Sequence, residues 1–274
     1  RLLPRVLTAL VGTPILLILV WWGGLALAVL VILAAALSIR EFYRLLPPET
    51  GPLPIALGMI WTTALVVGAS TASGALNFLI VSGGIWVSGV FVALLWMIAF
   101  HSARRRLTAV IYLLGGPIYI GFLLGHSLAL RDLDGGGSLG RDWLLFAVLV
   151  TFATDSGAYF TGRLLGRRPL APNVSPGKTW EGSAGGFVFA VAAALVLGAI
   201  FDLRIALWQV GVVGATVGVA SQWGDLLESK LKRIAGVKDA GNLFPGHGGI
   251  LDRLDSIVIS VPAVYYLVAT VFTP

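Results

Sequence analysis

The sequence contains no cysteine and unusually few charged residues. Without cysteine, the chain can form neither disulfide bonds nor thiolate metal sites. Charged residues make up 12% of its 274 residues, whereas soluble domains carry about 25%. Hydrophobic residues make up 57%, and they lie in long continuous runs rather than in the short alternating segments of a membrane β-barrel. The composition therefore predicts an all-α polytopic membrane protein.

The apolar runs are long enough to be membrane-spanning helices, each of which needs about 20 residues. The fourth run contains Ser82, Gly83 and Gly84, which leaves its continuity open, and the fifth contains Pro117, which should kink a helix. We predict nine spans, with the N-terminus in the cytoplasm. The spans are 5–22, 24–45, 53–70, 76–100, 107–130, 142–165, 179–201, 205–231 and 254–272.

The basic residues support this topology. Of the 19 lysines and arginines, the nine-span arrangement leaves only Arg131, Arg141 and Arg204 on the outer side. All the others, including the arginines at 104–106, fall on the inner side, as the positive-inside rule requires. The net charge of +6 is therefore explained by membrane orientation, and no nucleic-acid partner is predicted.

The predicted eighth span carries a polar face in an otherwise apolar helix. Ser221, Asp225, Glu228 or Ser229, and Lys232 recur at helical spacing, so their side chains share one face. One interpretation is a helix end whose long side chains reach the membrane surface, with Glu228 paired to Lys232. Asp225 lies deeper in the span, where a carboxylate indicates a functional site.

The predicted sixth span contains Asp155 near its middle, with Tyr159 and Arg163 one and two turns later. An unpaired carboxylate at membrane depth costs several kcal/mol. Asp155 is therefore either a single carboxylate bonded to a neighbouring hydroxyl or arginine, or part of the same polar cavity as Asp225. We favour the cavity.

The segment "APNVSPGKTWEG" invites comparison with a phosphate-binding P-loop. That motif would need glycine where Pro172 stands, and no preceding strand is predicted, so we reject it. Ser175, Lys178 and Thr179 nevertheless stand at the expected N-terminus of span seven, where free backbone N–H groups and a cation suit an anion. The alternative is a simple helix cap with a lysine that obeys the positive-inside rule.

The stretch "KDAGNLFPGHGGILDRLDS" gathers further polar residues before the last span. Asp252 and Asp255 are one helical turn apart, and such paired carboxylates suit Mg²⁺. Lys238 and Arg253 supply positive charge for phosphates, and the glycines allow close approach of the backbone. His247 has no companion ligand for zinc. Together these segments predict a cytoplasm-facing cavity, formed by spans six to nine, for phosphoryl or nucleotidyl transfer to an amphipathic lipid.

Residues 229–255, "SKLKRIAGVKDAGNLFPGHGGILDRLD", resemble the signature of the phosphatidate cytidylyltransferases, also called CDP-diacylglycerol synthases. The segments "SQWGDLLES" and "TDSGAYFTGRLLG" with "SPGKTWEG" resemble the family as well. The positions of the signature at which we find no departure are Ser229, Lys232, Arg233, Lys238, Asp239, Gly241, Pro245, His247, Gly248, Gly249, Asp252, Arg253 and Asp255.

The resemblance implies that CTP and phosphatidic acid react to CDP-diacylglycerol and pyrophosphate at the cytoplasmic face of the inner membrane. It also implies Mg²⁺, a second cation such as K⁺, and a homodimer. Catalytic roles are expected for Asp225, Lys238, Asp239, Asp252 and Arg253, and metal binding for Asp225, Asp252 and Asp255. Contacts with the substrate phosphates are expected for Asp155, Ser175, Lys178, Thr179, Glu181, Ser221, Glu228, Lys232, Arg233, His247, Gly248 and Gly249.

Within this scheme, residues 1–106 form a transmembrane scaffold. Residues 107–141 hold span five and an outer loop, a scaffold or dimer region, and 142–274 form the catalytic region. Two alternatives remain at this point. One is the same chemistry on another lipid phosphate, such as an archaeal ether lipid or a polyprenyl phosphate. The other is a transporter, which the crowding of charge in the inner half disfavours.

Overall fold

The computed structural model describes residues 2–45, 52–99, 111–241, 243 and 248–272, and within these it leaves the side chains of 2–9, 52–54, 97 and 99 undescribed. The arginines at 104–106 and His247, which the sequence analysis singled out, lie outside the described residues.

The described chain is almost entirely helical, as its composition predicts. Its only strands in the described ranges are β1 and β2, which form a short antiparallel hairpin between α6 and α7. The nine helical segments within those ranges are α1 Leu2–Trp22, α2 Gly24–Arg44, α3 Pro52–Thr71, α4 Gly74–Ala99, α5 Ile111–Arg131, α6 Ser138–Leu165, α7 Trp180–Ile200, α8 Leu207–Ile234 and α9 Leu251–Val271. The strands are β1 Pro169–Ala171 and β2 Ser175–Thr179.

Among the described residues, six helices are long and apolar enough to cross a membrane: α2, α4 over Gly74–Trp96, α5, α6, α7 and α9. The apolar parts of α1 and α3 within the searched residues are shorter, Leu10–Trp22 and Ile55–Thr71. Helix α8 is not in this set, and its C-terminal half carries the charged residues of the predicted polar face. An integral membrane protein follows from these helices, while the count of nine spans stays a prediction.

Two irregularities anticipated from the sequence have different outcomes. Helix α4 runs without interruption through Ser82, Gly83 and Gly84. In α5, Pro117 begins a π-helical turn that extends to Phe122. Proline has no N–H to donate and its ring crowds the preceding turn, and the wider π turn accommodates both effects within a continuing helix.

The chain divides into two compact units. The first comprises residues Arg1–Ala129 and Asp239–Arg253. In this unit α3 packs on α2, α4 and the π turn of α5. Glycines make these approaches close: a Cβ at Gly58 would overlap the Tyr43 ring, and a Cβ at Gly89 would overlap Trp61. Such small residues are what permits close helix packing in lipid, where no hydrophobic force drives helices together.

The second unit comprises Leu130–Lys238 and Leu254–Pro274, and α7 packs between α6 and α8 in it. Gly186 of α7 faces the backbone of α6 at Thr154. On its other side, Gln222 of α8 donates to the Ser183 carbonyl at 3.2 Å and its side-chain oxygen accepts from the Ser183 hydroxyl at 2.5 Å. Close backbone approach and interhelical hydrogen bonds therefore hold α7 in place.

The C-terminus of α8 ends in a Schellman motif. Gly236 adopts a left-handed φ of 71°, and its N–H donates to the Arg233 carbonyl at 3.1 Å. The N–H of Val237 donates to the Lys232 carbonyl at 3.0 Å. Glycine at this position allows the left-handed conformation without a steric penalty, so the polar end of α8 stops at a defined residue.

The N-terminus of α6 is capped from the preceding loop by Asp134. Its carboxylate accepts from the backbone N–H of Leu139 at 3.0 Å and of Gly140 at 3.1 Å. Arg131 braces the same loop by donating to the carbonyls of Gly136 and Gly137, both at 2.9 Å. Partial burial acts to raise the pKa of the Asp134 carboxyl, but the hydrogen bonds from Gly140 and Leu139 outweigh it and hold the pKa below its usual value.

We expect Asp134→Ala to lower the free energy of unfolding by about 1 kcal/mol, because the first turn of α6 loses its acceptor. Since the folded-state pKa is depressed, this contribution is present above the ordinary pKa of 3.8 and is lost as the pH falls through the lower value. Melting temperatures in detergent should therefore differ between wild type and variant at pH 7 and converge in strong acid. Asp132→Ala, two residues earlier, should be near neutral at both pH values; equal effects of the two substitutions would contradict the capping role.

Candidate active site

Helices α8 and α9 approach closely beside two of the predicted metal residues. Gly224 of α8 lies against the backbone carbonyl of Asp255, and a Cβ at Gly224 would overlap that oxygen. Asp225 follows Gly224 directly. Asp225, Asp155 of α6 and Lys232 are all close enough to Asp255 to act on it electrostatically. Three helices thus contribute one carboxylate each to what we call the acidic cluster: Asp155, Asp225 and Asp255.

Lys178 joins the acidic cluster from β2. Its Nζ lies 2.5 Å from Oδ2 of Asp225, and the two side chains are 27% and 33% exposed. The hydroxyl of Ser229, one turn along α8, donates to the other carboxylate oxygen at 3.3 Å. Because both partners of the ion pair remain partly exposed, ligands can reach them. The structure therefore brings together two predicted site residues that are far apart in the sequence.

The hairpin that carries Lys178 is tied to the start of α7 by Glu181. One oxygen of this carboxylate accepts from the backbone N–H of Arg167 at 3.0 Å and of Arg168 at 3.2 Å. Thr179 caps α7, accepting from the N–H of Gly182 at 3.1 Å. The capping alternative is thus confirmed for Thr179. Contacts of Thr179 and Glu181 with substrate remain predictions.

Arg233, at the C-terminal end of α8, holds the hairpin from the other side. Its Nε donates to the carbonyl of Val174, in the turn between the strands, at 3.1 Å. Its Nη1 donates to the carbonyl of Val237 at 3.3 Å. The same residue thus joins the hairpin turn to the end of α8, and both contacts are to backbone.

The prediction that no strand precedes the Gly177-Lys178-Thr179 sequence is wrong, because β1 precedes it. All three residues belong to β2, which pairs with β1 in the register Pro169 with Thr179 and Ala171 with Ser175. The strands are short and contain proline, so local sequence gives little strand signal, and the contacts of Glu181 and Arg233 with the hairpin are not visible in the sequence. The rejection of a P-loop is unaffected, because Pro172 stands where that motif needs glycine, and the motif places its lysine in a glycine-rich loop rather than within a strand.

The polar face of α8 is confirmed, and its residues differ in how far they are buried. Glu228 is fully buried and forms an ion pair with Lys232 one turn later. Ser221, one turn before Asp225, is also fully buried. Buried charges require such pairing, so Glu228 and Lys232 stabilise each other, while Asp225 is the member of this face that combines a negative charge with exposure.

On α6, Asp155 lies on an exposed part of the helix surface. Arg163 donates to the hydroxyl of Tyr159 at 2.8 Å, so the two residues that follow Asp155 at helical spacing contact each other. The electrostatic proximity of Asp155 to Asp255 agrees with its predicted place beside Asp225 in one polar region.

In the first unit, the segment before α9 is held by the carboxylate of Asp252, in the first turn of α9. Asp252 accepts from the backbone N–H of Gly249 at 2.7 Å and of Ala240 at 3.0 Å. Gly248 has a left-handed φ of 77°, and a Cβ there would crowd the Asp252 carboxylate. The glycines were expected to admit phosphates. Within the described residues, what Gly248 and Gly249 contact is carboxylate, and their contact with substrate stays a prediction.

Sequence reasoning missed Glu41 of α2. Only 5% of it is exposed, and its Oε2 accepts from the N–H of Leu251 at 2.9 Å. Spans one to five are predicted to be scaffold, and Glu41 stands between Arg40 and Arg44 at the end of an apolar run, where it resembles an ordinary membrane-flanking charge. A contact across 210 positions leaves no local pattern.

The remaining predicted residues occupy varied positions. Lys238, Asp239 and Arg253 are exposed, and Ser175 is half-buried on β2. Their expected roles stay predictions.

Comparison with known proteins identifies the family. The model of the cytidylyltransferase family matches residues 3–271. The chain belongs to the cytidylyltransferase family.

Three curated relatives show the extent of the similarity. The chain is 34% identical to the phosphatidate cytidylyltransferase of Bacillus subtilis over 271 residues, which cover 97% of each chain. It is 34% identical to the enzyme of that name from Brucella suis, over 98% of this chain and 93% of the relative. For that of Staphylococcus saprophyticus the identity is 32%, over 94% and 95%. The resemblance seen in residues 229–255 is thereby confirmed.

The acidic cluster of this cytidylyltransferase family member fits the chemistry of Mg²⁺. The cation prefers carboxylate oxygens together with water and substrate phosphates, and Asp225 and Asp255 supply hard oxygen donors from two closely packed helices. Among the residues that the structure describes, no three acidic or histidine side chains form a ready-made metal site. Two carboxylates suit an ion that, like Mg²⁺, takes the rest of its coordination from water and substrate phosphates.

Two glycines of α8 provide a matched test of the α8–α9 approach. Changing either to alanine gains about 1 kcal/mol of intrinsic helix stability. At Gly211 the new methyl group would meet Leu195 at an ordinary 3.5 Å, so Gly211→Ala should be neutral or stabilising. At Gly224 it would overlap the Asp255 carbonyl, and we expect a net loss of about 1–3 kcal/mol.

Because Gly224→Ala pushes α9 away from Asp225, cytidylyltransferase activity should fall more than the fraction of folded protein does. Melting temperature and CTP turnover in detergent measure the two effects. Equal melting temperatures and equal CTP turnover of the two alanine variants would show that the close approach at Gly224 does not affect activity.

Proposed function

We propose that this chain is a phosphatidate cytidylyltransferase, an integral membrane enzyme that converts CTP and phosphatidic acid to CDP-diacylglycerol and pyrophosphate. One observation carries the proposal: relatives bearing that name align with nearly the whole chain, with 34% identity over 97% of it for the Bacillus subtilis protein. The alignment includes the α6–α9 region that contains the acidic cluster and Lys178.

The reaction needs no nucleophilic side chain. A phosphate oxygen of phosphatidic acid forms a bond to the α-phosphorus of CTP, and the bond from that phosphorus to the bridging β-phosphate oxygen breaks. The electron pair of the broken bond leaves with pyrophosphate. Because the attacking phosphate is already ionised near neutral pH, a general base is not essential, and catalysis rests on positioning two anions and stabilising their charge.

Lys178 is the cation that the geometry favours for this task. It extends from a strand that Glu181 and Arg233 tie to α7 and α8, and its amine is partly exposed beside Asp225. A preorganised positive charge stabilises charge on a transferring phosphoryl group without reorganising during the reaction. Lys238 and Arg253, both exposed, supply further positive charge in the same proposal, and Asp239 orients Lys238 or a water molecule.

Mg²⁺ is the expected cofactor, with Asp225 and Asp255 as its residues in the acidic cluster and Asp252 as the third predicted ligand. When bound, it neutralises phosphate oxygens and orients the triphosphate. K⁺ is the second cation that the resemblance implies. On the exposed side of the Lys178–Asp225 pair, the amine can bind a phosphate of the incoming nucleotide and the carboxylate can bind the metal ion that accompanies it.

The proposed setting is the cytoplasmic membrane, with the active site on the cytoplasmic side. The inner-side excess of arginine and lysine in the predicted topology supports this orientation. The lipid would enter from the bilayer and CTP from the cytoplasm. The resemblance also implies a homodimer, which stays a prediction.

The direct test is CTP turnover by the purified protein in detergent with phosphatidic acid and Mg²⁺. We expect CDP-diacylglycerol and pyrophosphate in equal amounts, and loss of both in Asp225→Asn and Asp252→Asn. Parallel reactions with a polyprenyl phosphate and an archaeal ether lipid phosphate address the related chemistry. Turnover of either of these but not of phosphatidic acid would overturn the substrate assignment.

Lys178 can be tested against Lys230, an exposed lysine in the same compact unit. Lys178→Gln should lower kcat by about 10²-fold or more, because a charge that stabilises the transferring phosphate is removed. Lys230→Gln changes an exposed lysine of α8 and should leave kcat within about twofold. Steady-state kinetics with CTP as the varied substrate measure both. A Lys178→Gln enzyme as active as Lys230→Gln would remove Lys178 from the mechanism.

A further inference from the structure

Glu41 is a buried carboxylate in a helix that the proposed reaction does not otherwise use. It lies in the last turns of α2 and is 5% exposed. Removing a carboxylate from water is unfavourable unless hydrogen bonds compensate. The side chain therefore has to be engaged, and its described contacts lie at the start of α9 and in the segment just before it.

The first contact is with the N-terminus of α9. Oε2 of Glu41 accepts from the N–H of Leu251 at 2.9 Å, and Leu251 is fully buried. The first N–H groups of a helix have no partner within the helix, and the positive end of the helix dipole favours a negative charge. Glu41 thus caps α9 from a helix more than 200 positions away in the chain.

The second contact is steric. Gly241 and Gly249 both lie so close to the Glu41 carboxylate that a Cβ at either position would overlap it. Neither glycine needs a left-handed backbone, since neither has a positive φ. Their lack of a side chain is explained by the space that Glu41 occupies between them.

The third observation connects Glu41 to a predicted catalytic residue. Asp252, next to Leu251, accepts from the backbone N–H groups of Gly249 and Ala240. The same short segment is therefore held by two carboxylates, Glu41 from α2 and Asp252 from within. A carboxylate offers about four lone-pair sites, so Asp252 can accept these bonds and still bind a further ligand.

We propose that Glu41 is a positioning residue of the active site: through the Leu251 N–H and the two glycines it sets the orientation of the first turn of α9, and with it that of Asp252 and Arg253. The inference rests on the proposed cytidylyltransferase function for its catalytic consequence. Its structural part, the clamping of residues 249–251, stands independently of that function.

The test compares Glu41→Ala and Glu41→Gln with Asp134→Ala in the full-length protein in detergent. Asp134 is a matched control, because its carboxylate also caps a helix N-terminus but lies in the loop before α6, outside the proposed machinery. Hydrogen exchange of peptides covering 248–253, measured without substrate or Mg²⁺, reports the clamp. We expect exchange about tenfold faster in Glu41→Ala and unchanged in Asp134→Ala.

Kinetics report the catalytic consequence. In Glu41→Ala, kcat should fall about 10–100-fold, the usual range for residues that orient a metal ligand, and the Mg²⁺ concentration for half-maximal activity should rise. Glutamine keeps an acceptor oxygen but loses the charge, so Glu41→Gln should recover part of kcat. Asp134→Ala should show the wild-type Mg²⁺ dependence.

Each outcome decides the proposal. Unchanged exchange at 248–253 in Glu41→Ala overturns the clamp. Glu41 is purely structural if exchange becomes faster while the Mg²⁺ midpoint stays unchanged and activity falls only in proportion to the folded fraction. If Glu41→Ala does not fold, Glu41→Gln and Gly241→Ala, which crowds the same carboxylate, are measured instead under the same criteria. A wild-type protein that makes no CDP-lipid refutes the proposed function, while the exchange result still judges the clamp.

Discussion

Carboxylates inside an apolar helical protein must each find a hydrogen-bond donor or a cation, and the described residues of this chain are arranged around that requirement. Glu228 has Lys232 on its own helix, Asp225 has Lys178 from the hairpin, and Glu41 has the N–H of Leu251. These solutions differ in exposure. Glu228 is fully buried and Lys232 is mostly buried, whereas both partners of the Lys178–Asp225 pair are partly exposed, and this difference favours the second pair as the candidate catalytic one.

Glycine determines where backbones come close enough for such partnerships. At Gly224 it lets the carbonyl of Asp255 lie against α8, and at Gly241 and Gly249 it leaves space for the Glu41 carboxylate. At all three glycines, a specific neighbouring atom occupies the space that a Cβ would need. In lipid, where apolar surface gains nothing from being buried against another helix, such close contacts are a main source of helix association.

The sequence predicted the features that depend on local pattern. Long apolar runs placed helices such as α2, expected at 24–45 and found at Gly24–Arg44. Helical periodicity gave the common face of Asp225, Glu228 and Lys232. Features that depend on distant partners were not predicted. The hairpin is fixed by Glu181 and Arg233, and Glu41 contacts Leu251 across 210 positions. No single-sequence pattern encodes which distant backbone N–H a buried carboxylate will reach.

The roles of several residues are better understood once these distant contacts are known. Glu181, Arg233 and Thr179 were expected at the substrate, and each is engaged with backbone that shapes the hairpin or the start of α7. A motif that is rich in polar residues thus mixes residues that meet ligands with residues that build the surface for them. The signature alone does not distinguish these two kinds of residue.

The hairpin has a consequence for the order of events during substrate binding. Its start is tied by Glu181 and its turn by Arg233, so the strand that carries Lys178 has little freedom to travel. The amine of Lys178 can therefore move only through rotation about the bonds of its own four-carbon side chain. In the proposed mechanism, a nucleotide therefore reaches a lysine that is already in place and competes with Asp225 for it, with no loop closing over the phosphates.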